Sequence, residues 1–196
     1  IPLDKLILMS DLNDKSAAGK LLHSSIHIFG IGMKGSPPEH LKTKCWMYFP
    51  EDNCPFYRAT VFSNYSPYNV PDIKNYWSLM VEVSESSDKV VDRSSIEEEV
   101  IQGLINTKLI ASKDIIVDIW HHFESYGYPT PSLQRDDALK ILSMLGDLGI
   151  FSRGRFGGWK YETSNQDHSF MQGVEAVDKI LLNKESGSST IELKKP

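Results

Sequence analysis

The sequence predicts an α+β fold in which helices flank a mixed, mainly antiparallel sheet. Several segments alternate apolar with polar residues, or form short apolar runs bounded by Gly, Pro, Asn and Ser, as strands do. Other segments repeat apolar residues every three or four positions, as amphipathic helices do. With 196 residues the chain has about the length of one domain and can bury a sizeable core.

The N-terminal part predicts two short helices followed by a strand. Residues 3–22 carry two apolar groups separated by a polar stretch, which we interpret as a loop between the helices. From His23 onward, isoleucines recur as far as the turn residues at 35–38, which predicts a strand. Gly30 and Gly32 within this strand indicate either a bulge or a close neighbour.

The next segment predicts a hairpin that carries an arginine among aromatic residues. Aromatic residues at 46–49 precede a turn, and residues 56–62 have the pattern of the returning strand. Because side chains alternate along a strand, Arg58 should share a face with Phe56 and Phe62. Arg58 is then either an exposed arginine whose stem covers these rings, or a planar donor fork held in a cleft for phosphate or carboxylate.

The chain then continues with further strands and helices. We predict a strand at Tyr76–Ser84, a charged loop at Ser84–Ser95, a helix from Ile96 to Ile105, a strand at Ile115–Tyr126, a stiff turn at Gly127–Pro131 and an amphipathic helix at Arg135–Leu148. His121 and His122 are adjacent, so they should point to opposite faces of their strand and make a poor joint metal site. His23 and His27 are interpreted as structural or solvent-facing.

The segment from Ser152 to Asp178 combines a glycine-rich turn, two arginines and a helix N-terminus. Ser164 and Asn165 are good N-caps. The apolar residues that follow at helical spacing predict a helix face against a core: Phe170, Val174, Val177 and Leu181. Free N–H groups and the helix dipole would suit an anionic or polar cofactor. A capped surface helix after a tight turn fits the same pattern, and the pattern alone favours it.

Composition argues against several classes of protein. The formal net charge of −5 argues against a nucleic-acid binder held by phosphate contacts. Cys45 and Cys54 give neither a disulfide scaffold nor metal-finger spacing, and we predict no metal site. The sequence shows no membrane-spanning run and no signal peptide. The abrupt start at Ile1 suggests a piece of a longer protein, and the polar residues after Leu182 are predicted to be disordered.

Three blocks of the sequence together resemble one enzyme family. They are CWMYFPEDNCPFYRATVFSNYSPYN at 45–69, GYPTP at 127–131 and SRGRFGGWKYETSNQDHSFMQGVEAVD at 152–178. In this order they are similar to the C-terminal half of the fungal-type UDP-galactopyranose mutases, and the similarity extends to about Leu182. The resemblance implies a substrate-binding and flavin-capping region at 1–182 and a tail at 183–196. The implied fold is that of the amine-oxidase-like FAD flavoproteins, without the N-terminal Rossmann unit.

The resemblance also implies a reaction, a cofactor and a partner. The family interconverts UDP-galactopyranose and UDP-galactofuranose without net redox change. FAD, reduced by NADPH or NADH, provides the N5 atom that attacks the sugar anomeric carbon and expels UDP. The expected partner is therefore a UDP-sugar, with neither nucleic acid nor membrane, in a cytoplasmic enzyme. A homo-oligomer stays open.

Carried over position by position, the resemblance assigns roles to individual residues. Arg58 matches the arginine that grips the substrate diphosphate, and Tyr48, Tyr128 and Tyr161 match tyrosines that hold the same group. Trp46 and Tyr65 match residues on the sugar side of the pocket. Asn165 matches a residue at the junction of flavin and substrate. The flavin-contacting positions are Gly154, Arg155, Asn165, Gln166 and Ser169. We expect Trp46, Tyr48, Arg58, Tyr128 and Tyr161 to converge on one face of the sheet.

Parts of the family pattern would precede Ile1, among them the dinucleotide fingerprint and a second diphosphate arginine. We therefore expect this chain alone to be inactive and to hold no FAD. Two other classes stay open. A flavin oxidase of the amine oxidase or protoporphyrinogen oxidase type would line its pocket with apolar groups, and a non-catalytic module would need no converging polar groups.

Overall fold

The computed structural model describes residues 1–162 and 165–182. Its contacts divide the chain into two compact units. Residues 24–127 form the first, which we call the sheet unit, and residues 1–23, 128–162 and 165–182 belong to the second, the terminal unit. Within the described residues, no helix is both long and apolar enough to cross a membrane.

A five-stranded sheet confirms the predicted α+β class and lies almost entirely in the sheet unit. Its strands are β1 (His23–Lys34), β2 (Trp46–Tyr48), β3 (Arg58–Val61), β4 (Tyr76–Glu85) and β5 (Ile116–Pro129), in the spatial order β2-β3-β4-β1-β5. The pairs β2–β3, β3–β4 and β4–β1 are antiparallel. β5 also runs antiparallel to β1, because Gly30 faces Trp120 and Gly32 faces Val117.

The register of the strands gives the sheet two different faces. Alternation puts a continuous set of aliphatic and aromatic residues on one face, the covered face, where they form the core: Phe29, Ile31, Met33, Ala59, Val61, Leu79, Val81 and Val83. The other face, the polar face, carries Trp46, Tyr48, Arg58 and Glu82. Gly30 and Gly32 pair in unbroken register with β4, so the alternative of a close neighbour holds and that of a bulge does not.

Helix α2 (Ile96–Asn106) packs its apolar stripe on the covered face. Ile96, Val100 and Leu104 recur at helical spacing and are fully buried, which confirms the predicted helix. Glutamates fill its first turn, where negative charge favours the helix dipole. Gly103 allows the close approach of the hairpin, since a Cβ there would lie 2.8 Å from Cys54 and 2.9 Å from Pro55.

The terminal unit contains three short helices, one helix of 17 residues and a buried tryptophan. Its helices are α1 (Leu3–Met9), α3 (Arg135–Ala138), α4 (Ile141–Asp147) and α5 (Gln166–Leu182), with a 3₁₀ turn at Ser16–Lys20. Trp159 is fully buried, and its indole Nε1 donates to the carbonyl of Leu22 at 2.9 Å. Leu3, Ile7 and Leu145 of this unit are also fully buried.

Three predicted features of this part of the chain are wrong. The stiff turn at Gly127–Pro131 is largely strand, because β5 continues to Pro129, and a Cβ on Gly127 would lie 3.0 Å from Ile26. The single helix at 135–148 is broken into α3 and α4. The apolar residues of α5 do not face a core: Phe170, Val174, Val177 and Leu181 are exposed, and Ala176 is the buried residue of that helix. The predicted disorder after Leu182 lies outside the described residues.

Candidate functional site

Arg58 lies at the start of β3 on the polar face, where it forms an ion pair with Glu82. The two residues are direct partners across β3 and β4. Arg58 Nε and Nη2 donate to Glu82 Oε1 at 3.1 and 2.7 Å, and Nη2 also donates to Oε2 at 2.6 Å. The pair is largely removed from water, with 19% of the Arg58 side chain and 6% of the Glu82 side chain exposed. Glu82 thus holds the guanidinium plane of Arg58 in place, while the interpretation of Arg58 as a donor fork for a phosphate or carboxylate ligand stays a prediction.

Two aromatic rings lie close to the guanidinium group of Arg58. The Arg58 Cζ atom lies 4.5 Å from the ring centre of Trp46 and 5.6 Å from that of Tyr57. The Tyr57 hydroxyl donates to Glu82 Oε2 at 2.6 Å. The expectation that Arg58 shares its face with Phe56 is wrong, because Phe56 precedes β3 and is buried in the core.

Two further tyrosines named from the sequence lie beside Arg58. Tyr48 pairs directly with Arg58 across β2 and β3, and 66% of it is exposed. Tyr65 packs near Trp46, with ring centres 6.1 Å apart, and its hydroxyl accepts a hydrogen bond from Thr60 at 2.9 Å. Trp46, Tyr48, Arg58 and Tyr65 thus form one group, which we call the arginine cluster. It combines the mostly buried cation of Arg58 with the exposed aromatic rings of Trp46, Tyr48 and Tyr65.

The sequence reasoning missed Glu82, although a signal for it exists. Glu82 is the one charged side chain within the otherwise apolar or neutral run from Tyr76 to Val83. Its position parity puts it on the polar face of β4. A buried carboxylate requires a partner, and an arginine on a neighbouring strand is the expected type. Only the register between β3 and β4 identifies Arg58 as that partner.

A second group of predicted residues comes together within the terminal unit. Tyr128 and Tyr161 pack edge to face, with ring centres 5.8 Å apart. The guanidinium of Arg155 lies 4.9 Å from the centre of the Tyr128 ring, and its Nη2 donates to Asn165 Oδ1 at 3.0 Å. These four residues form the tyrosine cluster. The relation of this cluster to the arginine cluster stays a prediction.

The remaining predicted residues surround the first turn of α5. Gly154 adopts a φ of +83°, which favours glycine, and its N–H donates to Gln172 at 2.9 Å. A Cβ on Gly154 would lie 3.8 Å from the hydroxyl of Ser169. Asn165 and Gln166 mark the start of the helix, and the Asn165 carbonyl accepts from the N–H of Ser169. Ser164, the other predicted cap, lies outside the described residues.

Gly157 allows the glycine-rich turn to fold closely against its own backbone. A Cβ on Gly157 would lie 2.0 Å from the carbonyl oxygen of Arg153, so the chain folds tightly on its own backbone here. Trp159 follows with a φ of +50° and enters the core. The tight turn therefore brings Trp159 into the core, while Arg155 and Tyr161 are at least partly exposed.

A histidine pair lies on the covered face, away from the polar face, and only His27 of the two is buried. His27 is fully buried and shares hydrogen bonds with His121 at 3.0 Å and with Glu85 at 2.8 Å, and Arg93 donates to the same Glu85 oxygen. Burial lowers the pKa of His121 below its ordinary value, and the neighbouring His27 adds to this effect. His27 is structural, as one interpretation proposed. Among the described residues, no group of three side chains could hold a metal ion.

The chain is similar in sequence and fold to part of one enzyme of known structure. No protein-family model matches the chain. The chain is similar to a protein whose crystal structure is that of a reduced UDP-galactopyranose mutase, with 49% identity over 95% of this chain and a TM-score of 0.90. It spans 41% of that mutase chain.

A second solved structure has the same fold with a different sequence. It is assigned as a protoporphyrinogen oxidase from Exiguobacterium sp. 255-15, and it matches 91% of this chain with a TM-score of 0.65. The match covers 40% of that protein. At 12% identity this likeness shows the fold alone.

Proposed function

We propose that this chain is the substrate-binding and flavin-capping part of a UDP-galactopyranose mutase of the fungal type. The observation that carries the proposal is the 49% identity to a mutase over 95% of the chain, together with a TM-score of 0.90. The polar character of the arginine cluster supports a phosphate-bearing substrate and not the apolar substrate of an oxidase.

The arginine cluster would bind the diphosphate of the UDP-sugar. Arg58 is the cation of the cluster, and its guanidinium plane is fixed by Glu82 and Trp46 before any ligand binds. A fork held in advance loses less entropy on binding and recognises phosphate oxygens with directed hydrogen bonds. Tyr48 would add a hydroxyl to the same group, while Trp46 and Tyr65 would line the sugar side.

The first turn of α5 and the tyrosine cluster fit a flavin. Gly154 lies beside Ser169, and Asn165 and Gln166 place polar groups at the positive end of a helix of 17 residues. Gly154, Arg155, Asn165, Gln166 and Ser169 would hold the cofactor. FAD, reduced by NADPH or NADH, would supply the nucleophile for the anomeric carbon of the sugar. Tyr128 and Tyr161 would donate hydroxyl hydrogen bonds to the diphosphate.

The residues of this chain would act mainly on the leaving group. When the bond between sugar and diphosphate breaks, negative charge accumulates on the departing UDP. Arg58 stabilises this charge more strongly than the charge of the bound substrate, which lowers the barrier. The same contacts keep UDP in place for the return step, so that the furanose product leaves as a UDP-sugar.

The experiment is a calorimetric titration of the complete mutase with UDP and with uridine. We expect UDP to bind and uridine to bind far more weakly. Arg58→Ala should weaken UDP binding about ten- to a hundredfold, because a hydrogen bond to a charged group contributes roughly 1.5–3 kcal/mol. Arg58→Lys should recover part of the affinity, since an ammonium lacks the planar fork. Unchanged UDP affinity in the folded Arg58→Ala protein would overturn the assignment.

A further inference from the structure

We propose that Glu82 is a positioning residue for the diphosphate site, an assignment that rests on the function proposed above. Its carboxylate fixes the orientation of the Arg58 guanidinium and so determines which N–H groups of Arg58 can donate to a diphosphate. Glu82 itself is not proposed to touch the substrate.

The hydrogen bonds define which edge of the guanidinium Glu82 occupies. Both Nε and Nη2 of Arg58 donate to Oε1 at 3.1 and 2.7 Å, and Nη2 donates to Oε2 at 2.6 Å. Glu82 therefore holds the edge that carries Nε. Because the group is planar and rigid, this contact directs the edge that carries Nη1 away from β4.

Glu82 is itself held more firmly than most glutamates. It lies on β4, which has a paired strand on both sides, and only 6% of its side chain is exposed. The Tyr57 hydroxyl donates to Oε2 at 2.6 Å. Trp46 closes the arrangement by stacking against the guanidinium at 4.5 Å. Recognition groups that are locked by such supporting contacts keep the geometry that tight binding requires.

The charge of Glu82 cannot explain a favourable role in diphosphate binding. A carboxylate beside an anion site repels the anion, so any gain in affinity from Glu82 must come from the orientation of Arg58. A variant that keeps the charge but changes the reach separates the two effects. Glu82→Asp is that variant, because it shortens the side chain by one methylene and so withdraws the carboxylate from the fork.

The test measures UDP affinity by calorimetry in the complete mutase with Arg58 present and in the Arg58→Ala background. With Arg58 present, Glu82→Asp should weaken UDP binding about five- to tenfold, with a smaller effect of the same sign for Tyr57→Phe. In the Arg58→Ala background, Glu82→Asp should change UDP affinity less than twofold, because the positioned group is gone.

Glu85→Asp is the matched control. Glu85 lies on the same strand and also forms ion pairs, with His27 and Arg93, but on the covered side of the unit. The Glu85→Asp substitution should lower the melting temperature without changing UDP affinity in the folded protein. A purely structural role for Glu82 would give this same result.

The outcomes distinguish this assignment from the function on which it rests. Failure of the unaltered protein to bind UDP would overturn the proposed function and the role of Glu82 together. UDP binding that Arg58→Ala weakens but Glu82→Asp leaves unchanged would overturn the positioning role alone. An equal loss from Glu82→Asp in both backgrounds would also overturn it, because the effect would not act through Arg58.

Discussion

Removal of the guanidinium of Arg58 should destabilise the fold strongly, whatever its effect on ligands. Replacing Arg58 by Met keeps most of the apolar stem but leaves the carboxylate of Glu82 buried, with the hydroxyl of Tyr57 still donating to it. Leaving one charge of a buried pair uncompensated costs about 3–5 kcal/mol of unfolding free energy. For a chain of this length that loss lowers the melting temperature by roughly 6–20 °C.

The partner substitution provides the decisive comparison. Glu82→Leu alone should cost a similar amount, since it leaves the arginine unpaired. The double variant Arg58→Met/Glu82→Leu should be close to the original stability, because replacing both members of a buried pair by apolar groups is often neutral or stabilising. The measurement is urea unfolding followed by tryptophan fluorescence, analysed as a double-mutant cycle. Strictly additive effects of the two substitutions would refute the pairing argument.

Three further predictions follow from other parts of the structure. The free energy of unfolding should fall as the pH drops below about 6.5, the ordinary pKa of histidine, because burial and His27 lower the pKa of His121 in the folded protein. Urea titrations should therefore give a lower free energy of unfolding at pH 5 than at pH 7.5, and His121→Gln should reduce this difference. Trp159→Ala should lower the free energy of unfolding by about 3–5 kcal/mol, because Trp159 is fully buried. Phe170→Ser should change it by less than about 0.5 kcal/mol, because Phe170 is 72% exposed, and calorimetric melting of both variants checks this. Tyr161→Phe should leave the melting temperature unchanged and weaken UDP binding roughly two- to tenfold, the size of one neutral hydrogen bond; equal UDP affinity would remove Tyr161 from the diphosphate site.

Elements with a strong local pattern could be predicted from the sequence. The helix at Ile96 has acidic residues in its first turn and a regular apolar stripe, both of which are local signals. The hairpin around the turn at 50–55 and the strand from His23 likewise follow from alternation and turn residues. Local preference and tertiary packing agree in these segments.

The errors arise where distant parts of the chain decide the structure. Glycine and proline at 127–131 indicate a turn. In the structure Gly127 lies within strand β5, where Ile26 of β1 approaches so closely that a Cβ at position 127 would lie 3.0 Å from it. The pairing of His27 with His121 joins residues 94 positions apart, which no local pattern indicates. The ion pair of Arg58 and Glu82 depends in the same way on strand register.

The apolar spacing in α5 predicts a helix correctly, but the prediction that its apolar face packs against a core is wrong. Periodicity shows which side chains share a face, and only the packing shows what the face meets. Within the described residues, Phe170 and Leu181 are mostly exposed. The site residues were named through the resemblance to the mutases, and the structure adds the contacts among Trp46, Arg58 and Glu82, while the roles stay predictions.

The most direct test of the proposed function is turnover by the complete, flavin-loaded protein. The protein is incubated anaerobically with UDP-galactofuranose, once with the flavin reduced and once with it oxidised, and the UDP-sugars are separated by chromatography. We predict conversion to UDP-galactopyranose with the reduced protein, little conversion with the oxidised protein, and a large loss of conversion in Arg58→Ala. No conversion by a folded, reduced protein that binds UDP would contradict the account.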